Sequence, residues 1–86
     1  MMNITIDCSA IESRQDLHRI FAEALSFPSC YGSNLDALHD MLTSLSGTVR
    51  LENWEIAESA LGKYGLAARR AITDAALENT ALDLIL

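Results

Sequence analysis

Three polar residues close together in the chain, Asp36, His39 and Asp40, have side chains suited to binding a metal ion or moving a proton. On a helix, residues three and four positions apart lie on one face, so an imidazole and two carboxylates would be neighbours. A complete metal site needs further ligands from other elements, and His18 is the only other histidine in the chain. The sequence therefore predicts neither a metal site nor a cofactor.

A second candidate for chemistry is the thiol of Cys30 with His39, because an imidazole can activate a thiol as a nucleophile. Nothing in the sequence identifies an oxyanion hole or a substrate pocket beside it. Cys8 and Cys30 are the two cysteines, too few for a disulfide framework. We therefore expect two free thiols in a non-catalytic protein, with Cys30 as a contact or packing residue.

Length and charge limit the possible functions further. The 86 residues, half of them hydrophobic, predict a single domain over residues 1–86 with one small core and no deep cleft. Six basic against twelve acidic side chains give a net charge of −6, which disfavours direct binding to nucleic acid or an anionic membrane. Residues 1–7 lack the features of a signal peptide, and no apolar run approaches the roughly 20 residues of a membrane span. The sequence predicts a cytoplasmic protein that has either a basic partner or no charged partner at all.

The elements that position these residues follow from hydrophobic spacing. Alternation or short apolar runs predict strands, and apolar residues three and four positions apart predict helices. Strands linked through helices imply an α/β fold with a small parallel sheet. The predicted strands are 2–8, 47–52 and 81–86. The predicted helices begin near Ser13 and at residues 35, 54 and 66. The expected core includes Leu17, Ile20, Phe21, Trp54, Ile56, Ile72 and Leu84.

Capping and breaking residues set the helix ends. Ser13 and Asp16 resemble a capping box, and the first helix must end before Pro28. Asn34 is a good N-cap for the second helix. Gly65 is expected to end the third helix, whereas Asn79 follows the fourth.

The second helix, 35–43, is the most informative element. At about 100° per residue, Asp36 and Asp40 lie nearly opposite a leucine stripe. The helix dipole accounts for Asp36, but Asp40 lies one turn from a like charge with no lysine or arginine nearby on the helix. Such an uncompensated local cost is often a mark of function, so this face is either solvated or a binding surface. The stripe consists of Leu35, Leu38, Leu42 and Leu45, and His39 and Thr43 share the outer half.

Residues 30–43, CYGSNLDALHDMLT, resemble the YYGxNLDALWDxLT signature of the barstar family, intracellular inhibitors of the secreted ribonuclease barnase. Agreement extends upstream through 16–18 and downstream through 51–54 and 83–86, so it covers essentially the whole chain. The resemblance implies a three-stranded parallel sheet packed by helices. It also implies that the loop and the second helix form the inhibitory surface.

The resemblance implies roles for individual residues. The second aspartate of the motif, here Asp40, enters the nuclease active site in place of a substrate phosphate, and Asp36 contacts basic groups at its rim. An acidic residue of the last helix, here Asp74, completes the interface. The predicted partner-binding residues are Cys30, Tyr31, Gly32, Asn34, Leu35, Asp36, His39, Asp40, Thr43 and Asp74.

The chain also departs from the family pattern. Cys30, His39 and Leu45 stand where the family has aromatic residues, and Asp74 is one methylene shorter than the family's glutamate. Aromatic residues are frequent binding hot spots. The sequence therefore favours a basic secreted or toxin ribonuclease other than barnase, bound one-to-one by a monomeric inhibitor.

Other interpretations stay open. The same surface would serve an acidic immunity or adaptor module for a basic partner that is not a ribonuclease, and a small enzyme is a further alternative. His39 either reports pH or is an exposed histidine without a special role. Asp74 either binds the partner or joins Arg70 and Glu78 in an exposed ion-pair ladder.

Overall fold

The computed structural model describes residues 2–86. Three parallel strands form one sheet in the order β1–β2–β3, and helices make the connections, so the predicted α/β fold is confirmed. The strands are β1 (Met2–Asp7), β2 (Gly47–Glu52) and β3 (Leu82–Ile85), and the helices are α1 (Arg14–Leu25), α2 (Leu35–Thr43), α3 (Trp54–Leu61) and α4 (Lys63–Glu78).

The sheet register places apolar residues of the three strands side by side. Val49 of the central strand pairs with Ile4 on one side and Leu84 on the other. Val49 and Leu51 are buried whereas Arg50 and Glu52 are exposed, because successive side chains of a strand point to opposite faces of the sheet. The third strand is shorter than predicted, since Ala81 and Leu86 lie outside it.

The first helix begins and ends as its capping residues predict. The Ser13 hydroxyl accepts the Asp16 N–H at 3.1 Å. The Asp16 carboxylate in turn accepts the N–H of Glu12, one residue before the N-cap. Ser26 ends the helix in the left-handed conformation with φ 57°, before Pro28.

The boundary between α3 and α4 differs from the prediction. Gly62 ends α3 with φ 60° and ψ −129°. Residues with a side chain rarely adopt this conformation, so glycine suits the position. Gly65 lies inside α4, where an added Cβ would stand 2.4 Å from the carbonyl oxygen of Glu58. Gly65 is therefore a close-packing residue between two helices, and the prediction that it ends a helix was wrong.

The core contains most of the predicted residues. Leu17, Phe21, Trp54 and Ile72 are buried, and Ile20 and Leu84 are half-buried against the core. Ile56 is 47% exposed, so its prediction was wrong. Trp54 and Ala57 form the buried face of α3, and Ile56 lies on the other side of that helix.

The two cysteines are free thiols in different surroundings. Cys8 is fully buried in a 3-10 turn after β1, and burial raises the pKa of its thiol to about 12. Cys30 is exposed in the loop before α2. Within residues 2–86, no helix combines the length and apolar character that crossing a membrane requires.

Candidate partner-binding surface

Helix α2 has the two-sided character that its sequence predicts. Asn34 caps it, because its side-chain oxygen accepts the Ala37 N–H at 2.8 Å. Leu38 and Leu42 are fully buried, and Leu35 and Leu45 pack partly buried against the core. Burial of this stripe leaves the carboxylates of Asp36 and Asp40 exposed on the outer side.

Helix α4 packs beside α2 and adds its own acidic residues to this surface. A groove of about 380 Å³ between the helices is lined by Asp36 and His39 of α2 and by Arg70 and Asp74 of α4. The fold thus brings Asp74 to the predicted residues of α2. We call Asp36, His39, Asp40, Asp74 and Glu78 the acidic face.

His39 links the two helices across the acidic face. Its Nε2 lies 2.5 Å from a carboxylate oxygen of Glu78, and its Nδ1 lies 3.6 Å from a carboxylate oxygen of Asp40. The hydrogen bond with Glu78 raises the pKa of His39. The imidazole is 28% exposed, so His39 is half-buried rather than fully exposed.

Glu78 is a residue of this face that was predicted only as part of an ion-pair ladder. In residues 2–86, Arg70 and Asp74 form no ion pair, and Glu78 bonds His39 instead. The spacing contained a signal for this position, because Glu78 lies one helical turn beyond Asp74 and so on the same side of α4.

The loop of residues 26–34 borders the acidic face and is held by one half-buried tyrosine. Tyr31 is half-buried with its ring 4.8 Å from that of Phe27, and its hydroxyl lies 2.6 Å from Nδ1 of His18. Cys30, Gly32 and Asn34 are exposed. The loop therefore presents its polar residues outward and is anchored through Tyr31.

His18 joins this loop to α4. It is 3% exposed, and its Nε2 lies 2.7 Å from the hydroxyl of Tyr64. The guanidinium of Arg14 stands over the Tyr64 ring, 4.4 Å from its centroid. Burial lowers the pKa of His18, so the imidazole is neutral at pH 7. Sequence reasoning gave Tyr64 no role, because its partner is 46 residues away along the chain.

The end of α2 is fixed by a residue from beyond α4. The side-chain amide of Asn79 donates to the carbonyl oxygens of Leu42 and Leu45 at 3.0 and 2.6 Å. Its backbone is extended, with φ −115° and ψ 95°. Asn79 follows the fourth helix as predicted, and it also satisfies carbonyls at the end of the second.

Thr43 contributes to the last turn of the same helix. Its hydroxyl donates to the carbonyl oxygen of Asp40 at 2.7 Å, and its side chain is half-buried. This bond holds the hydroxyl against the helix backbone.

Comparison with known proteins bears on this surface directly. A family model described as Barstar (barnase inhibitor) matches residues 1–84. The chain belongs to the barstar family. A relative from Bacillus subtilis (strain 168), named "Putative ribonuclease inhibitor YrdF", is 42% identical over 67 residues, a match that covers 74% of each chain. The resemblance of the 30–43 motif to barstar is thereby confirmed.

The barstar match spans every part of the surface described above. Residues 1–84 include the loop, α2 and the acidic residues of α4.

Within residues 2–86 of this barstar-family chain, no group of three or more histidine, cysteine, aspartate or glutamate side chains is arranged to hold a metal ion.

Proposed function

We propose that this barstar-family protein inhibits a ribonuclease by placing its acidic face in the enzyme's active site, one inhibitor per enzyme. Asp40 is the central anchor in this proposal, and the protein acts by binding rather than by catalysis. The family is described as barnase inhibitors, and the named relative is described as a ribonuclease inhibitor. Both descriptions support ribonuclease inhibition as the activity.

The exposure of Asp40 is the observation that carries the proposal. Its side chain is 84% exposed, and its ion-pair contact within the described chain is the 3.6 Å approach of His39. Asp36 and Asp74 lie on either side of the adjoining groove. The carboxylates are thus displayed at the surface rather than neutralised by neighbouring cations, which suits binding to a basic partner.

The physical basis is competition for the cations of the enzyme. A ribonuclease must gather positive groups around the scissile phosphate to stabilise developing negative charge. A carboxylate held on a rigid helix offers those groups a preorganised substitute, so little conformational entropy is lost on binding. Opposite charges on the two proteins also speed their encounter, and the barnase–barstar pair is itself an established example of such steering.

The proposed partner is a basic secreted or toxin ribonuclease other than barnase. Cys30 and His39 present a thiol and an imidazole where the family has aromatic rings, and His39 is tied to Glu78. These substitutions change the shape and polarity of the surface at its centre. We further propose that the protein is a cytoplasmic monomer that protects the cell producing it.

Loop residues are proposed to complete the interface. Gly32, Asn34 and Leu35 lie where the loop meets the first turn of α2, next to Asp36. Tyr31 supports them from beneath, and Thr43 lies one turn beyond Asp40 on the outer half of α2.

The test is titration of RNA cleavage by barnase and by small secreted microbial ribonucleases with the wild-type protein, Asp40→Asn and Asp83→Asn. Both variants lose one exposed carboxylate and change the net charge equally, but Asp83 lies on β3 rather than on the acidic face. We expect a one-to-one endpoint for the wild type and for Asp83→Asn. Asp40→Asn should bind about 100-fold more weakly, the order expected when one partner of a buried charge pair is lost.

Equal inhibition by Asp40→Asn and Asp83→Asn would remove Asp40 as the anchor. A basic partner that binds one-to-one without any change in RNA cleavage would replace inhibition with the adaptor function. Unaltered folding of both variants is checked by circular dichroism, since exposed charges contribute little to stability.

A further inference from the structure

We propose that His18, buried behind the partner-binding surface, and Tyr64, at its border, are positioning residues that hold Tyr31 and its loop in the conformation that binds the partner. This inference rests on the proposed function, because it assigns the 26–34 loop to the interface. Neither residue belongs to the acidic face. Both act through Tyr31.

The buried contacts come from three separate parts of the chain. His18 lies on α1, Tyr31 in the loop and Tyr64 on α4, and the two hydroxyls contact different nitrogens of one imidazole at 2.6 and 2.7 Å. His18 is the buried polar side chain of the described core. Its two ring nitrogens are both satisfied only while the loop and α4 remain in place.

The chemistry of the imidazole makes the two contacts interdependent. A neutral imidazole has one N–H donor and one acceptor nitrogen, and a tyrosine hydroxyl can play either role. One tyrosine therefore donates to His18 while the other accepts from it, whichever tautomer is present. Linked hydrogen bonds polarise one another, so loss of the Tyr64 hydroxyl weakens the contact between His18 and Tyr31.

The loop has few other attachments. From residue 26 to residue 34, only Phe27 and Tyr31 are not exposed. The Tyr31 N–H donates to the carbonyl oxygen of Pro28 at 3.0 Å. The side-chain amide of Asn34 donates to the carbonyl oxygen of Gly32 at 3.4 Å. The two ends of the loop are tied to the neighbouring helices, since the Phe27 N–H donates to the carbonyl oxygen of Ala22 at 3.0 Å and Asn34 caps α2. Between these ends, attachment to the domain depends on the two aromatic rings and on the bond to His18.

Arg14 restrains the far end of the network. Its guanidinium covers the Tyr64 ring at 4.4 Å, and both residues line a shallow groove with Ser33, Asn34 and Asp36. Tyr64 is thus held in place by a cation at the border of the binding surface. A partner that contacts the loop meets a surface ordered before binding, which reduces the entropy lost in the complex.

The experiment compares wild type with Tyr64→Phe, which removes the hydroxyl that contacts His18, and with Ile6→Val as a control. Ile6 is a buried residue of β1, so Ile6→Val lowers global stability without changing the hydrogen bonds of His18. The first measurement is amide hydrogen exchange in the free protein. We expect the Tyr31 amide to exchange about tenfold faster in Tyr64→Phe, the order expected from loss of one net hydrogen bond.

The second measurement is inhibition of whichever ribonuclease the wild type inhibits, with barnase as the first probe. Tyr64→Phe should bind more weakly by a similar factor with an unchanged one-to-one endpoint, whereas Ile6→Val should inhibit as the wild type does. His18→Gln, which keeps one donor and one acceptor, should retain more affinity than His18→Leu.

The two proposals fail in different ways. Wild-type protein that inhibits no ribonuclease overturns the proposed function, and the exchange rates in the free protein still decide whether His18 and Tyr64 position the loop. Unchanged Tyr31 exchange in Tyr64→Phe overturns the positioning role. Faster exchange with undiminished inhibition also overturns it, because the loop conformation would then not matter for binding.

Discussion

His39 of α2 and Glu78 of α4 are joined by a 2.5 Å hydrogen bond that crosses between the two helices of the acidic face. The bond places a basic group at the centre of a surface that is otherwise mainly carboxylate. It also stabilises the protonated imidazole, which raises the pKa of His39. The other histidine, His18, is buried and has its pKa lowered. Folding therefore shifts the pKa values of the two histidines in opposite directions.

The first prediction is that the histidine contribution to stability is greatest near pH 6.5, the ordinary histidine pKa. Below this pH, His18 binds a proton in the unfolded chain but stays neutral when buried in the folded protein. The free energy of unfolding therefore falls as pH falls toward the lowered pKa. Above it, folded His39 keeps a proton that the unfolded chain has lost, so stability declines as pH rises through the raised pKa. Urea unfolding between pH 5 and 8 measures both limbs.

His39→Gln separates the two contributions. We expect this variant to lose the decline above pH 6.5 and to keep the rise below it. Added salt should flatten the His39 limb of the wild type, because Glu78 is 59% exposed, and leave the burial-driven His18 limb in place. Parallel pH profiles for the wild type and His39→Gln would contradict the assignment of the upper limb.

The second prediction concerns the rate at which the inhibitor meets a basic ribonuclease. If the acidic face binds a basic enzyme as proposed, the attraction is long-ranged, so the association rate should fall steeply as ionic strength rises. Stopped-flow association with the inhibited enzyme measures this slope. Asp40→Asn and Asp83→Asn provide the comparison, and the former should flatten it more. A flat response in the wild type would indicate that the acidic face is only solvated.

The third prediction is that Asn79→Ala destabilises the fold by about 1–3 kcal/mol, the cost of leaving polar groups unsatisfied. Its amide donates to two carbonyls at the end of α2, those of Leu42 and Leu45. Urea denaturation gives the free energy of unfolding. Asn3→Ala on β1 is the control, since Asn3 is exposed and should change stability by less than about 0.5 kcal/mol. Equal stability of the two variants would show that water replaces the Asn79 amide.

The fourth prediction concerns Gly65. Helix propensity alone predicts that Gly65→Ala stabilises α4 by about 1 kcal/mol. The added Cβ would lie 2.4 Å from the carbonyl oxygen and 2.8 Å from the Cα of Glu58, so α3 and α4 must separate. We expect a net loss of about 1–3 kcal/mol by overpacking, measured by urea or thermal unfolding. A stabilised variant would mean that the two helices part at little cost.

Local sequence signals predicted α2 and β2 to the residue. Asn34 caps α2 and its leucines repeat at helical spacing, whereas polar and apolar residues alternate from Thr48 to Glu52 in β2. These features depend on residues within a few positions of one another, so they can be recognised in a single sequence. The outer position of the two aspartates of α2 followed from the same spacing.

Contacts between distant segments were beyond such reasoning. His18 lies 13 residues from Tyr31 and 46 from Tyr64, and Asn79 lies 37 from Leu42. Hydrogen bonds across such separations leave no periodic pattern in the chain. Gly62 and Gly65 show a subtler difficulty, because both residues suit a helix end and only the three-dimensional structure distinguishes a terminus from a close helix contact.

The Asn79 contact has a consequence for protein synthesis. Ribosomes build the chain from its amino end, so α2 emerges well before the residue whose amide holds its last turn. Glu78, the partner of His39, arrives just as late. A nascent chain therefore carries the acidic residues of α2 before it can hold them in place. On the proposed function, a newly made chain would begin to inhibit the ribonuclease only after translation has passed Asn79. Truncated chains that end before Asn79 would give no protection.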